Sequence, residues 1–309
     1  MRMLTSIALF SAALAYAGSL PFSRSGVLDS PDAYILSHTE IEAGIAGSAY
    51  SVSDPAGSKD SEFKITGHVD VGLFRYGQVG VSWLADGGLA GNVKVGILSE
   101  GISVPAFAVG LENITGEKNV ECFEDADGEL YDYSHAQNMS AYGVLSKDME
   151  SLIGVPATVS IGIGTGRFVG MIDNGAAGIG SKIANGFFCS VVYRPAGNFS
   201  LTFEEDGRDF NFGASYQVSR LFTINITWAE LEMSLFPPDR VDRMDIMQNS
   251  KFGVSLESRF GPVIGARNLE LEREQMRIER ARQRLRELEE RRRAAENELQ
   301  RLRELIEGN

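Results

Sequence analysis

Residues 251–260, Lys-Phe-Gly-Val-Ser-Leu-Glu-Ser-Arg-Phe, constrain this chain more than any other stretch. Phe252, Val254, Leu256 and Phe260 share one face at period two, with Lys251, Gly253, Ser255, Glu257 and Arg259 on the other. Successive strand residues point to opposite faces, so this is a strand with one apolar and one polar side. An edge strand of a soluble sandwich would read the same way. What separates the two readings is the rest of the chain, in which the same alternation scarcely stops.

Phe63, Ile65, Val69, Val71 and Leu73 alternate with Glu62, Lys64, Thr66, His68 and Asp70. Val159-Ile161-Ile163, Phe199-Leu201-Phe203, Phe210-Phe212-Ala214-Tyr216 and Phe222-Ile224-Ile226-Trp228 repeat the pattern. Together these runs predict twelve strands, near 38–50, 62–74, 77–85, 91–100, 104–115, 138–147, 156–168, 185–194, 198–205, 209–218, 221–231 and 249–260. Long and short connections largely alternate between them, as in a transmembrane β-barrel with short periplasmic turns and longer outer loops. The expected fold is therefore all-β: an antiparallel outer-membrane barrel over 38–260, with both its ends on the periplasmic side. Closure also removes the unpaired edges that a sandwich of this size would have to protect.

In lipid the apolar face points outward. Glu40, Glu42, Glu62, Lys64, His68, Asp70, Lys94, Glu112, Lys147, Glu204, Lys251 and Glu257 are then expected to line the lumen. Twelve strands enclose more room than wall side chains alone fill. These charges either border a narrow water path or pair into a plug. Trp83, Tyr142, Tyr193, Tyr216, Trp228 and Phe260 are candidates for the aromatic girdles at the two interfaces. Phe260, the aromatic end of the last strand, resembles the signal read by the barrel-assembly machinery, which makes that machinery and outer-membrane lipid expected partners.

No run of about 18 apolar residues predicts a spanning helix. The opening residues instead read as a signal peptide over 1–17: Arg2, an apolar core from Leu4 to Leu14, and Ala15-Tyr16-Ala17 before Gly18. The expected location is the outer membrane of a Gram-negative-type bacterium. Gly18 to Ser37 is read as a short periplasmic lead with turn residues Ser30, Pro31 and Asp32. Cys122 and Cys189 do not amount to a disulfide scaffold.

Past a linker at 261–266 the period changes from two to seven. Leu271, Ile278, Leu285, Leu299 and Ile306 occupy one heptad position, with Arg292 breaking the series; Ala281, Leu288, Ala295 and Leu302 fall three later. That is the seam of a coiled coil, placed over 267–309 and expected to reach into the periplasm. It predicts either self-association or a periplasmic helical partner. The tail holds 12 Arg against 11 Glu, or +1, so the rest carries −14 of the chain's net −13. That balance argues against nucleic acid as a partner.

Chemistry-bearing motifs are sparse. The three histidines, His38, His68 and His135, fall in no hydrolase or metalloprotease pattern, and no cofactor is expected. His68 near Asp70 suits a lumen-edge hydrolase less well than a polar wall residue. Asp125, Asp127 and Glu129 are closely spaced carboxylates that fall short of a Ca²⁺ loop pattern and read better as a solvated outer loop. Asn113-Ile114-Thr115 and Asn225-Ile226-Thr227 match the glycosylation pattern, the second in mid-strand.

Several stretches resemble the YjbH-like outer-membrane barrel family associated with exopolysaccharide production. They are Gly26-Val27-Leu28-Asp29-Ser30-Pro31-Asp32-Ala33-Tyr34, Gly72-Leu73-Phe74-Arg75-Tyr76-Gly77-Gln78-Val79-Gly80-Val81, Asn92-Val93-Lys94-Val95, Pro105-Ala106-Phe107-Ala108-Val109-Gly110-Leu111 and Glu204-Glu205-Asp206-Gly207-Arg208-Asp209. The resemblance covers most of the barrel and implies a link to surface-polysaccharide export; it supplies no catalytic residues. The chain departs from that family's long members in length and in its helical tail. Its expected function is a non-enzymatic pore or accessory channel. The alternative is a structural envelope anchor whose coiled coil spaces or docks periplasmic partners.

Overall fold

A computed structural model describes residues 20–53, 59–74, 76–84, 88–116, 122–124, 130–132, 139–168, 186–207, 209–235, 250–263 and 269–307. The expected signal peptide, the acidic trio Asp125, Asp127 and Glu129, and residues 264–266 of the linker lie outside these residues. So does His135.

Twelve strands close into one antiparallel barrel. They are β1 (Ile41–Ser53), β2 (Lys59–Leu73), β3 (Gly77–Leu84), β4 (Gly88–Leu98), β5 (Ala106–Glu112), β6 (Ser140–Asp148), β7 (Ala157–Gly164), β8 (Phe187–Ala196), β9 (Phe199–Glu205), β10 (Phe210–Gln217), β11 (Phe222–Ala229) and β12 (Lys251–Phe260). Each pairs with its neighbours in sequence, and β12 closes on β1 in a register running from Ile41 opposite Phe260 to Tyr50 opposite Lys251. A ribbon of Cys122–Glu124 with Leu130–Asp132 belongs to the connection between β5 and β6.

All twelve predicted strands are present, most of their ends shifted by one to four residues, and two of the shifts have visible reasons. β1 begins at Ile41 because Ser37 to Glu40 form a turn: the Glu40 amide bonds the Ser37 carbonyl, and Thr39 takes a positive φ of 60°. β7 stops at Gly164 because Gly166–Phe168 form a 3₁₀ turn that buries Arg167 and Phe168.

The outer surface is apolar, with Phe63 at 65% exposure and Ile163 at 67%. An uncovered apolar belt of this kind suits lipid and not water. Closure satisfies every strand's backbone through its neighbours, as a lipid-exposed sheet requires.

The lead lies inside this wall. Leu20, Phe22, Leu28, Ala33 and Leu36 are buried, so the expectation of a periplasmic lead is corrected: from Leu20 to Leu36 it packs against the inner wall. Two small apolar cores form in the lumen. Phe22 and Leu28 pack on Ala46 of β1. Ala33 joins Ala106, Ala108, Tyr142, Val144, Phe168 and Phe188, with the Phe168 and Phe188 rings stacked at 4.7 Å.

The helix α1 (Leu269–Glu307) follows β12. It is one helix: the seam residues Ile278, Ala281, Leu285, Leu288, Ala295 and Leu299 are all exposed, and no second helix covers them among the described residues. The side chains of Leu271, Leu302 and Ile306 lie outside the described ones.

Candidate functional site: the occupied lumen

Eight of the predicted lumen residues have buried side chains on the inner wall or at its rim: Glu42, Lys64, His68, Asp70, Lys94, Glu112, Glu204 and Lys251. Glu40, just before β1, is buried where the lead turns into the wall, and its carboxylate accepts the Ser37 amide at 2.9 Å. Glu257 shares the inner face and is half-buried. Glu62 lies in β2 paired with Tyr50 of β1, and its side chain lies outside the described ones. Lys147 is a correction. Ser140, Tyr142, Val144 and Ser146 of β6 face inward, which leaves Lys147 on the outer face at the strand's short-turn end. There its ammonium donates to Glu100 at 2.7 Å and to the Gly101 carbonyl at 3.0 Å. The same parity corrects Tyr142, read as a girdle aromatic: it is buried against Phe168 and Phe188.

These wall residues grip the lead along its length. Near the short-turn end, Leu36 donates its amide to Gln78 Oε1 at 3.3 Å. Gln78 Nε2 donates both to Ser25 Oγ of the lead at 3.0 Å and to Asp70 Oδ1 of the wall at 3.1 Å. Deeper in, Lys94 pairs with Asp32 at 3.0 Å, and the Ala33 amide donates to Ser146 Oγ at 2.9 Å. At the far end Glu204 receives the amides of Leu28, Asp29 and Ser30 at 3.3, 2.7 and 3.3 Å, with Asn211 Nδ2 at 3.0 Å. One carboxylate thus satisfies three successive backbone donors that burial would otherwise leave costly.

Between these anchors lies a four-membered ionic latch. Arg167 donates Nε to Glu112 Oε2 at 2.5 Å and Nη1 to Asp29 Oδ2 at 3.0 Å, while Nη2 meets the Asp29 carbonyl at 2.6 Å. Arg24 lies 3.6 Å from Glu112 and 4.0 Å from Asp29. Arg24 and Asp29 come from the lead, Glu112 and Arg167 from the barrel, so the charges cancel across the junction. The Arg167 guanidinium also sits 4.1 Å from the centre of the Phe168 ring. Two more pairs strengthen the wall: Glu42 takes Arg259 Nε at 2.8 Å, and Lys251 pairs with Glu230.

A cavity of about 20 Å³ bounded by Arg24, Ser25, Asp70, Gln78, Lys94 and Glu112 holds about one water. His68 is buried, and neither of its ring nitrogens bonds a group among the described residues. Asn113 is fully buried, and Asn225 donates to Ser255 inside the barrel at 2.8 Å; neither suits glycosylation.

At the short-turn rim, Glu100 links lead and wall outside the strands. Tyr34 donates its hydroxyl to it at 3.0 Å, alongside Lys147 and the Asp148 amide. Burial by itself raises the Glu100 pKa, but these three donors outweigh it and hold the carboxyl below its usual value.

Sequence reasoning missed Arg24, Asp29, Gln78, Glu100, Ser146, Arg167 and Asn211. The one signal available for the lead was its content: Phe22, Arg24, Leu28, Asp29 and Tyr34 are an apolar and charged mixture poorly suited to a solvated segment.

No protein-family model matches the sequence, and no match was found among curated proteins. Among solved structures, the chain is similar to an outer-membrane channel of Pseudomonas putida F1, at 9% identity over 74% of this chain and 97% of that one, with a TM-score of 0.34. It is similar to the P. putida toluene transporter TodX at 8% identity over 74% and 91%, with a TM-score of 0.36. An anion-selective porin from Comamonas acidovorans aligns at 8% identity over 72% and 99%, with a TM-score of 0.26. The barrel itself rests on this chain's own strand pairing.

Proposed function

We propose that the protein is a non-enzymatic outer-membrane channel held shut by its own N-terminal lead. One observation carries this reading: the lead is fastened to the wall by ions and hydrogen bonds as well as by apolar packing. A permanently filled barrel is better served by apolar filler, because buried ion pairs add little net stability. Polar fastenings are the kind that water can replace as the lead shifts. The resemblance to YjbH-like barrels suggests a surface polysaccharide as cargo.

The test is conductance in planar bilayers. Deleting residues 20–37 should give a steady current where the intact protein is largely silent. Joining lead to wall by Ala33→Cys with Ser146→Cys should abolish residual openings until reductant is added. A deletion variant that folds, shown by heat-shifted gel mobility, yet passes no current would overturn the reading. The structural anchor would then stand in its place. That second reading draws its support from the exposed helix α1, and predicts that loss of 269–307 disturbs the envelope while conductance is unchanged.

A further inference from the structure

We infer that α1 is a parallel pairing surface for a second copy of this chain. It carries four large exposed apolar side chains in one seam: Ile278, Leu285, Leu288 and Leu299, at 50, 60, 56 and 61% exposure. A heptad seam is buried by another helix of matching repeat. Which helix it is follows from charge and orientation.

Copies inserted in one membrane share an orientation, so their tails leave the same side and run in the same direction. In a parallel pair each g residue faces the e residue five positions later on its partner. Here those are Arg277 with Arg282, Arg284 with Glu289, Arg291 with Glu296, and Glu298 with Arg303. Three of the four attract. The repulsive one, Arg277 with Arg282, stands toward the N-terminal end of the helix. Pairing should therefore be tightest from Arg284 onward, where Leu285, Leu288, Leu299 and Leu302 supply the seam.

The tethers permit it. Val263 is pinned to the barrel rim by its amide to the Thr39 carbonyl at 3.1 Å. From there to Leu269 the chain can span at most about 21 Å. Two adjoining barrels can thus bring their helices together when their rim exits lie within roughly 50 Å, allowing about 10 Å between paired axes. Arg292 sets the limit on strength. It holds a seam position and pairs within its own helix with Glu296 at 3.4 Å, so each copy brings one desolvated charge to the interface.

The experiment uses the full chain in outer membranes, with Cys122 and Cys189 replaced by Ser. Single cysteines are placed in the seam, Ala281→Cys or Ala295→Cys, and on the opposite helix face, Gln283→Cys or Asn297→Cys. Mild oxidation should yield the homodimer several-fold more from either seam position than from the opposite face. Glu289→Arg with Glu296→Arg should cut that yield several-fold, and adding Arg284→Glu with Arg291→Glu should restore it. Arg292→Leu should raise it. Equal yields from both faces, seam cysteines that link only to a protein of another mass, or indifference to the charge reversal would each overturn the proposal. None of these readouts depends on whether the barrel conducts.

Discussion

Gly72 of β2 passes so close beneath Ser37 that a Cβ on it would stand 2.0 Å from the Ser37 carbonyl oxygen and 2.5 Å from that of Leu36. The Thr39 amide bonds the Gly72 carbonyl, and the Gly72 amide bonds that of Glu40, so the lead turns into the wall at this point. Both obstructing atoms belong to the backbone and have no rotamer to escape into. Gly72→Ala should therefore lift the lead at its root, at a cost of about 1–3 kcal/mol by overpacking. Intermittent current from a barrel of normal heat-shifted mobility is the expected result; silence with unchanged stability would show that the lead simply re-seats.

The latch predicts a larger effect. Arg167→Met keeps much of the bulk over Phe168 but removes the guanidinium that bonds both Asp29 and Glu112, while Arg24 stands farther off at 3.6–4.0 Å. Removing one partner from a buried ionic group costs about 3–5 kcal/mol. We expect a lowered unfolding midpoint and frequent openings. Arg167→Lys should recover little, because one ammonium cannot span both carboxylates as the guanidinium does. Full recovery with Lys would mean that charge alone, without the forked geometry, holds the lead.

Acid should loosen the rim through Glu100. Its carboxyl is held below the ordinary value of 4.5, so its contribution is fully present above that value and is lost as pH falls through the lower, folded one. The site is partly open to solvent, which keeps the effect modest. Protease access to the Tyr34 region should rise below about pH 4.5 in the wild type. In Glu100→Gln it should already be raised at neutral pH and vary less with acid. Identical acid profiles for the two proteins would exclude this carboxylate as the cause.

Phe260 closes the register opposite Ile41 and keeps 41% of its surface exposed on the outer face. Its backbone pairing survives truncation of the side chain, so Phe260→Ala should leave the stability of inserted barrels nearly unchanged. The fraction reaching the outer membrane should fall instead, while truncation after 263 should not reduce it. Heat-shifted gel bands, quantified against total protein, separate the two.

The wall was legible because lipid imposes one rule on it. Phe63, Ile161 and Val254 must face outward, and period two then places Lys64, Ser160 and Ser255 inward without further information. The rule fails where the lumen has contents. Tyr142 and Val144 turn inward because Ala33, Phe168 and Phe188 give them an apolar surface there, and that parity carries Lys147 to the outside. The lead shows no period at all, since its backbone donors bond wall side chains such as Glu204 and Ser146 instead of a neighbouring strand. Its wall partners lie from 42 residues away, at Gln78 for Leu36, to 176 away, at Glu204 for Leu28, so local pattern could not announce them.

The lead, continuous with β1 through Thr39 and Glu40, is a ligand that shares a backbone with its receptor. Binding of a tethered segment answers to an effective concentration, in the millimolar range for short flexible connections, and not to the amount of protein present. Weak individual contacts therefore suffice to keep it seated, and once displaced it returns without help. Detached copies of the same segment, added from outside, would compete poorly against it. If the lead shuts the channel as proposed, opening for longer than a moment requires work done on the lead itself, by something that holds it out or occupies the wall it leaves.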